Sequence, residues 1–323
     1  MSTYKGIQGN TVQSLGSDPP AAQSVGQLWY NSASNVWKIS TQGAAAWSSG
    51  GDLNTARRSI ASGGAGTRDT ALAIGGDSPT KDEVEEYNGT AWTAKTGVTV
   101  ARASAGAAGT STAALFIAGS TPPISDLVEE WNGTGWTEIA DVTTARSETV
   151  GTGVTTAALL IGGNSSPVNL VELWNGTSWT AAGALTTNHN VGLGSAGTST
   201  AALAVGGQPP SPSVNVELYN GTSWTANPAL NSAKMFAGWA GTSTSAMAFG
   251  GAPPSRPLLT ESYNGTSWTE VADLATGATG AGGVGANNTA ALFFGGNIGP
   301  PTDTVVTQEW SDPVYTIKTV TVS

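Results

Sequence analysis

The sequence predicts an all-β fold in which one four-stranded unit is repeated six times. The composition is turn-rich: 323 residues hold 44 glycines, plentiful Ser, Thr, Ala and Val, and only 11% charged residues, far from the Glu-, Lys- and Leu-rich make-up of a helical chain. The chain is also periodic. Trp47, Trp92, Trp136, Trp179, Trp224 and Trp268 stand 45, 44, 43, 45 and 44 residues apart, and a fixed spacing of this size marks an internal repeat. In the same phase, six apolar runs end in small pairs: "ALAIGG", "ALFIAG", "ALLIGG", "ALAVGG", "AMAFGG" and "ALFFGG".

One unit, read from Arg57, contains "RRSIASGGAG" (strand A), "TALAIGG" (strand B), "DEVEEY" (strand C) and "TAWTAK" (strand D). A period near 44 leaves room for four strands of about 5–6 residues with short connections. A lone sheet would leave an apolar face in water, so the units must stack, and radial stacking closes them into a six-bladed β-propeller over residues 49–323. An open solenoid is the competing arrangement. The Gly-Gly closing strand B, the aromatic of strand C and the Trp opening strand D resemble the Kelch repeat. Two departures stand out, Ala118-Gly119 for one Gly pair and Tyr315 at the place of the last Trp.

Ahead of the blades, residues 1–26 read as a polar arm and residues 27–48, with "GQLWYNSASNVWKIS", as an aromatic hairpin around an Asn-Ser-Ala-Ser-Asn turn. The hairpin resembles a short element of bacteriophage tail-fibre and virion proteins. The leader "YKGIQGNTVQSLGSDP" resembles the one that precedes Kelch-like repeats in marine phage structural proteins. That resemblance implies attachment of the arm to other virion proteins, with Tyr4, Trp29, Tyr30 and Trp37 as attachment or packing residues. Together with Trp47, the aromatics of the hairpin are equally suited to packing beside the ring and sealing its first blade against its last.

The heptapeptide "YNGTAWT" returns as "WNGTGWT", "WNGTSWT" and twice as "YNGTSWT". Asn-Gly-Thr reads as a glycosylation sequon or as a tight turn. The turn is preferred because Asn-Gly suits a type I′ hairpin, in which both central residues need positive φ. The sixth repeat, "WSDPVY", loses the sequon and keeps turn-forming residues.

Up-and-down order places the B-to-C and D-to-A connections at one end of every blade. The B-to-C loops differ ("DSPTKD", "STPPISD", "NSSPVN", "QPPSPS", "APPSRP", "NIGPPTD"), whereas the turns at the other end are nearly uniform. Distinct proline-bearing loops on a rigid scaffold suit binding. Strand A opens at that end with Arg57, Arg102, Arg146, His189, Lys234 and finally Ala278. The resemblance to Kelch propellers implies an anion or acidic-polymer site there, to which Lys81 and Arg256 of the loops would add charge. The same side chains could instead organise the loops by bonding their carbonyls.

Zero cysteines and the single His189 remove thiol nucleophiles and His-based metal sites, including the copper site of the galactose oxidase that a Kelch-like propeller brings to mind. No cofactor is expected. Sialidase-type Asp boxes fail, because Tyr87 stands at the aspartate position. Glu85, Glu86, Glu129, Glu130, Glu172 and Glu217 recur in strand C, where repetition reads as a solvated face rather than as one catalytic pair. A net charge of −10 argues against nucleic acid and an anionic membrane. The amino terminus has no apolar core of signal-peptide length, and no apolar run is long enough to span a bilayer. The expectation from all this is a non-enzymatic phage virion protein, assembled in the host cytoplasm, with a propeller head adhering to host-surface carbohydrate or protein. The alternatives are a cellular Kelch-type protein-binding adaptor and a carbohydrate-active enzyme.

Overall fold

A computed structural model of the chain describes residues 13–61, 64–77, 79–121, 123–164, 168–189, 191–208, 211–252, 258–299, 302–313 and 315–321. Contacts divide it into Trp47–Ser311 and a smaller unit, Met1–Ala46 with Asp312–Ser323. The larger unit is a six-bladed propeller of antiparallel sheets. Blade 3 serves as the type, with strands Val150–Val154, Ala157–Ile161, Val171–Trp174 and Trp179–Ala181 in that order from the axis outward. In blade 1 the regular strands are Ala71–Ile74, Val84–Tyr87 and Trp92–Lys95, and the segment before them joins through a bridge from Gly66 to Ala71.

Blade 6 closes the ring with strands from both ends of the propeller sequence. Its order is Gly282–Asn287, Ala290–Phe294, Thr307–Ser311 and then Ala46–Ser49. Trp47 therefore supplies the outermost tryptophan of the last blade. Its indole lies 5.7 Å from that of Trp310, like the Trp131–Trp136 pair at 5.3 Å in blade 2. Tyr315, expected in that place, belongs to the strand Tyr315–Val320, which pairs with Val36–Gln42 in the smaller unit. The division thus falls at residues 47 and 311 rather than at the expected 49 and 323.

Each outer tryptophan is a wedge against the preceding blade, burying a large aromatic surface where two sheets meet. Trp136 packs on Leu72, Ile74 and Val84 of blade 1. Trp92 lies 4.9 Å from Phe294 of blade 6, and its Nε1–H donates to Thr307 Oγ1 at 2.9 Å. Trp47 donates in the same way to Thr260 Oγ1 at 3.0 Å. Where the third strand of the preceding blade carries Val128 or Val171 at that position, the Nε1–H of Trp179 and of Trp224 makes no hydrogen bond.

The Asn-Gly-Thr turns have four residues and are not type I′. Only the glycine takes positive φ, at 89° in Gly89 and 93° in Gly221. The asparagine acts through its side chain: Asn88 Oδ1 accepts the N–H groups of Thr90 and Ala91, both at 3.0 Å. The other four copies repeat this pattern, the side-chain-capped turn that asparagine favours. Ala118, the departure from the Gly pair, adopts φ 57° where its counterparts are Gly75, Gly162 and Gly206.

In the smaller unit the order is Gln13–Leu15, Leu28–Asn31, Val36–Gln42 and Tyr315–Val320. Its turn is held by Asn31 Oδ1, which accepts the N–H groups of Ala33 and Ser34.

Candidate axial site

The five side chains expected at the channel mouth are not there. Arg57, Arg102, Arg146, His189 and Lys234 are each 0% exposed, sealed inside their blades. Arg102 Nη2 donates to Glu129 Oε1 at 2.8 Å and its guanidinium covers the Phe116 ring at 4.2 Å. Arg57 and Arg146 lie 3.1 and 3.2 Å from Glu85 and Glu172, and His189 Nε2 lies 3.1 Å from Glu217 Oε1. Lys234 Nζ donates to the Leu259 carbonyl at 2.9 Å. Burial pushes the Arg57, Arg102 and Lys234 cations down, and takes Arg146 to about 10.

The recurring glutamates are correspondingly not all a solvated face: Glu86 and Glu130 are half-buried, and the others are sealed. Glu85, Glu129, Glu172, Glu217 and Glu261 are buried, and each clamps the chain leading into its own blade through backbone N–H groups: Asn54, Thr99, Thr143, Thr186 and Asn231 donate at 2.7–2.8 Å. Burial alone would raise Glu217, but hydrogen bonds from His189, Thr187 and Thr186 outweigh it and hold the carboxyl at about 2. The clamp recurs in five blades and ties each entering segment to its own sheet.

Lys81 is largely covered, 3.8 Å from Glu83, and its carbonyl accepts the Arg102 N–H. Arg256 and Tyr4 lie outside the described residues. In the smaller unit Trp29 is buried and donates to Asp18 at 3.1 Å. Tyr30 and Trp37 meet edge to face at 5.5 Å, with Trp37 exposed.

What lies on the propeller axis instead is a ring of six residues, one per blade: Ser59, Ser104, Glu148, Gly192, Phe236 and Gly280. All have φ between 50° and 66°. Backbone bonds join neighbours: the N–H of Ser104 donates to Ser59 at 2.9 Å, Glu148 to Ser104 at 2.7 Å, Phe236 to Gly192 at 2.8 Å and Gly280 to Phe236 at 3.0 Å. Glycine adopts such φ freely, whereas a side chain there costs on the order of 1–3 kcal/mol. Four positions carry one nonetheless.

The ring borders a small pocket of about 30 Å³, also lined by Ile60, Thr149 and Leu193. Two polar atoms on it have no hydrogen-bond partner, Glu148 Oε2 and Thr149 Oγ1. Burial pushes the Glu148 carboxyl up from its ordinary value. Its ring neighbours are serine, glycine and phenylalanine, and the nearby Arg146 is already paired with Glu172. A carboxyl that stays protonated into a higher pH range can donate a proton and take it back, the property required of a general acid–base. Sequence reasoning missed this residue, although a signal exists: in the column two places after the cation, only the third repeat has an acid.

No protein-family model and no curated protein matches the chain. Among solved structures, that of YjhT matches with a TM-score of 0.68 and 13% identity, covering 83% of this chain and 99% of YjhT. The two share a propeller fold. The expectation of a phage virion protein with an adhesive head is corrected by this result, the likeness found being to YjhT. The expectation of a non-enzymatic chain is corrected with it: the fold is that of YjhT, and its axis carries Glu148, whose Oε2 has no hydrogen-bond partner.

Proposed function

We propose that this chain is a carbohydrate-active protein in which Glu148 moves a proton at a sugar held on the loop-rich end of the axis. The observation that supports the reading is the ring itself: Glu148, Ser59, Ser104 and Phe236 occupy positions where glycine would be unstrained, and backbone strain retained in one cluster is a pointer to function. The group is suited to a sugar. Two serine hydroxyls offer hydrogen bonds, Phe236 offers an apolar wall, and the carboxyl offers acid–base chemistry.

The pocket beside the carboxyl, about 30 Å³, has room for a hydroxyl-sized substituent, since a water needs about 10–15 Å³ by this measure. Hydrolysis of a glycosidic bond generally needs two carboxyl groups roughly 5–9.5 Å apart, and the ring carries one. The chemistry that suits it is proton transfer to or from a sugar hydroxyl or ring oxygen. In this reading the repeats are of the Kelch kind, supported by the Gly-Gly pairs and the wedge tryptophans.

The test is turnover of reducing sugars, followed by proton-exchange NMR, in the wild type and Glu148→Gln. The expected result is turnover that falls by about 10²–10⁴-fold in the variant while the circular dichroism spectrum is unchanged. Turnover that persists undiminished in Glu148→Gln, or no turnover of any sugar by the wild type, overturns the proposal.

A further inference from the structure

We propose that the opposite end of the channel is a second binding site, for a neutral, hydroxyl-rich molecule of about monosaccharide size. A cavity of about 210 Å³ lies where the inner strands finish, at the uniform end of the blades. That volume is below the roughly 300–1,000 Å³ of pockets for drug-sized ligands.

Backbone geometry keeps glycine on the cavity wall. Gly109, Gly153, Gly197 and Gly241 line it with φ of 110–127°, and a Cβ on any of them would lie 2.1–2.4 Å from a carbonyl oxygen of the facing strand. No side chain can grow there, so the wall presents bare peptide groups.

The remaining lining defines the ligand. Among the described residues it includes no ionisable side chain, so a charged molecule would lose its hydration without gaining a partner. Thr152 Oγ1 and Ser195 Oγ spend their protons on the carbonyls of Gly197 and Gly151, at 2.7 and 3.0 Å. Each hydroxyl keeps acceptor lone pairs, which suits a ligand rich in O–H donors. One wall differs. Trp239 stands where other inner strands have Ala107, Gly151, Ser195 and Gly283, and its indole lies on Gly194, where a Cβ would come within 1.9 Å of the ring. This aromatic breaks the sixfold repetition: its indole is largely buried in the core, its Nε1–H has no hydrogen-bond partner, and its edge gives the cavity one apolar side for the C–H face of a polyol.

The site lies at the other end of the inner strands from Glu148 and does not depend on its chemistry. The test is saturation-transfer NMR with glucose and myo-inositol against gluconate and glucosamine. Variants are Ala286→Trp, at an exposed rim position of the cavity, and Glu148→Gln. We expect saturable millimolar binding of the neutral pair, at least about tenfold weaker binding of the charged pair, loss of myo-inositol binding in Ala286→Trp, and no change of it in Glu148→Gln. Absence of saturable binding to the wild type, equal binding of gluconate, or full binding by a folded Ala286→Trp overturns the proposal.

Discussion

Ala278 and Gln308 occupy, in the sixth blade, the two positions that hold a buried basic side chain and a buried carboxylate in the other five. Gln308 Oε1 still accepts the N–H groups of Ala275 and Thr276, at 2.7 and 3.4 Å, and its Nε2 donates to the Thr276 carbonyl at 2.8 Å. The charges have gone together and the clamp has stayed. A buried carboxylate without its cation would be strongly destabilising, whereas a neutral amide in its place is not.

The sixth blade therefore specifies the outcome of copying it into the third. Arg146→Ala alone leaves Glu172 buried without its cation and should cost about 3–5 kcal/mol. Adding Glu172→Gln should restore more than half of that loss, because neither charge then remains. Urea unfolding of both single variants and the double variant gives the coupling directly, and additive losses would refute the pairing of the two charges.

Trp47 should count as a propeller residue and Tyr315 should not. Removing the half-buried Trp47 indole, which packs on Phe249 at 4.9 Å, should cost about 3 kcal/mol, toward the lower end for such truncations. Tyr315→Ala, at an exposed position, should leave the propeller transition within about 0.5 kcal/mol. Near-ultraviolet circular dichroism across a urea titration separates the two outcomes.

The blade count was legible in the sequence because a wedge is needed at every blade boundary, so the tryptophan period records the number of boundaries. The source of the last outer strand was not. Trp310 and Tyr315 have the same spacing as Tyr87 and Trp92, and nothing local reveals that the strand after Trp310 leaves the blade while Trp47 fills it. The cations were legible as a column but not as buried. Only their pairing could show that, and the joint loss of charge at Ala278 and Gln308 was the available clue. Glu148 was hidden because strain at positive φ is a property of the backbone and has no composition signature, and because one residue inserted between His189 and Gly192 shifts the column by one.

Glu148 also sets a pH dependence. Its folded-state carboxyl is raised by burial above the ordinary 4.5, so folding favours the protonated form. The stability this group contributes is fully present below pH 4.5 and is lost as pH rises through the raised folded value. Glu148→Gln cannot ionise, so its thermal midpoint should exceed that of the wild type at pH 8 and converge with it near pH 4. Calorimetric scans at the two pH values check the sign, and an equal gap at both would show that the carboxyl is not what responds.

The Asn-Gly-Thr turns yield the last prediction, which separates side-chain capping from glycosylation. Asn220 Oδ1 accepts the N–H groups of Thr222 and Ser223 at 3.0 and 2.9 Å, and an aspartate retains that acceptor whereas an alanine does not. In protein made without glycosylation, Asn220→Ala should lower stability by about 1 kcal/mol, and Asn220→Asp should stay within about 0.5 kcal/mol of the wild type. Gly221→Ala should cost about 1–2 kcal/mol, since Gly221 sits at φ 93°. Urea midpoints give all three values. If alanine and aspartate at position 220 lost equal stability, the side-chain oxygen would not be what holds the turn, and the five-fold recurrence of asparagine would need another cause.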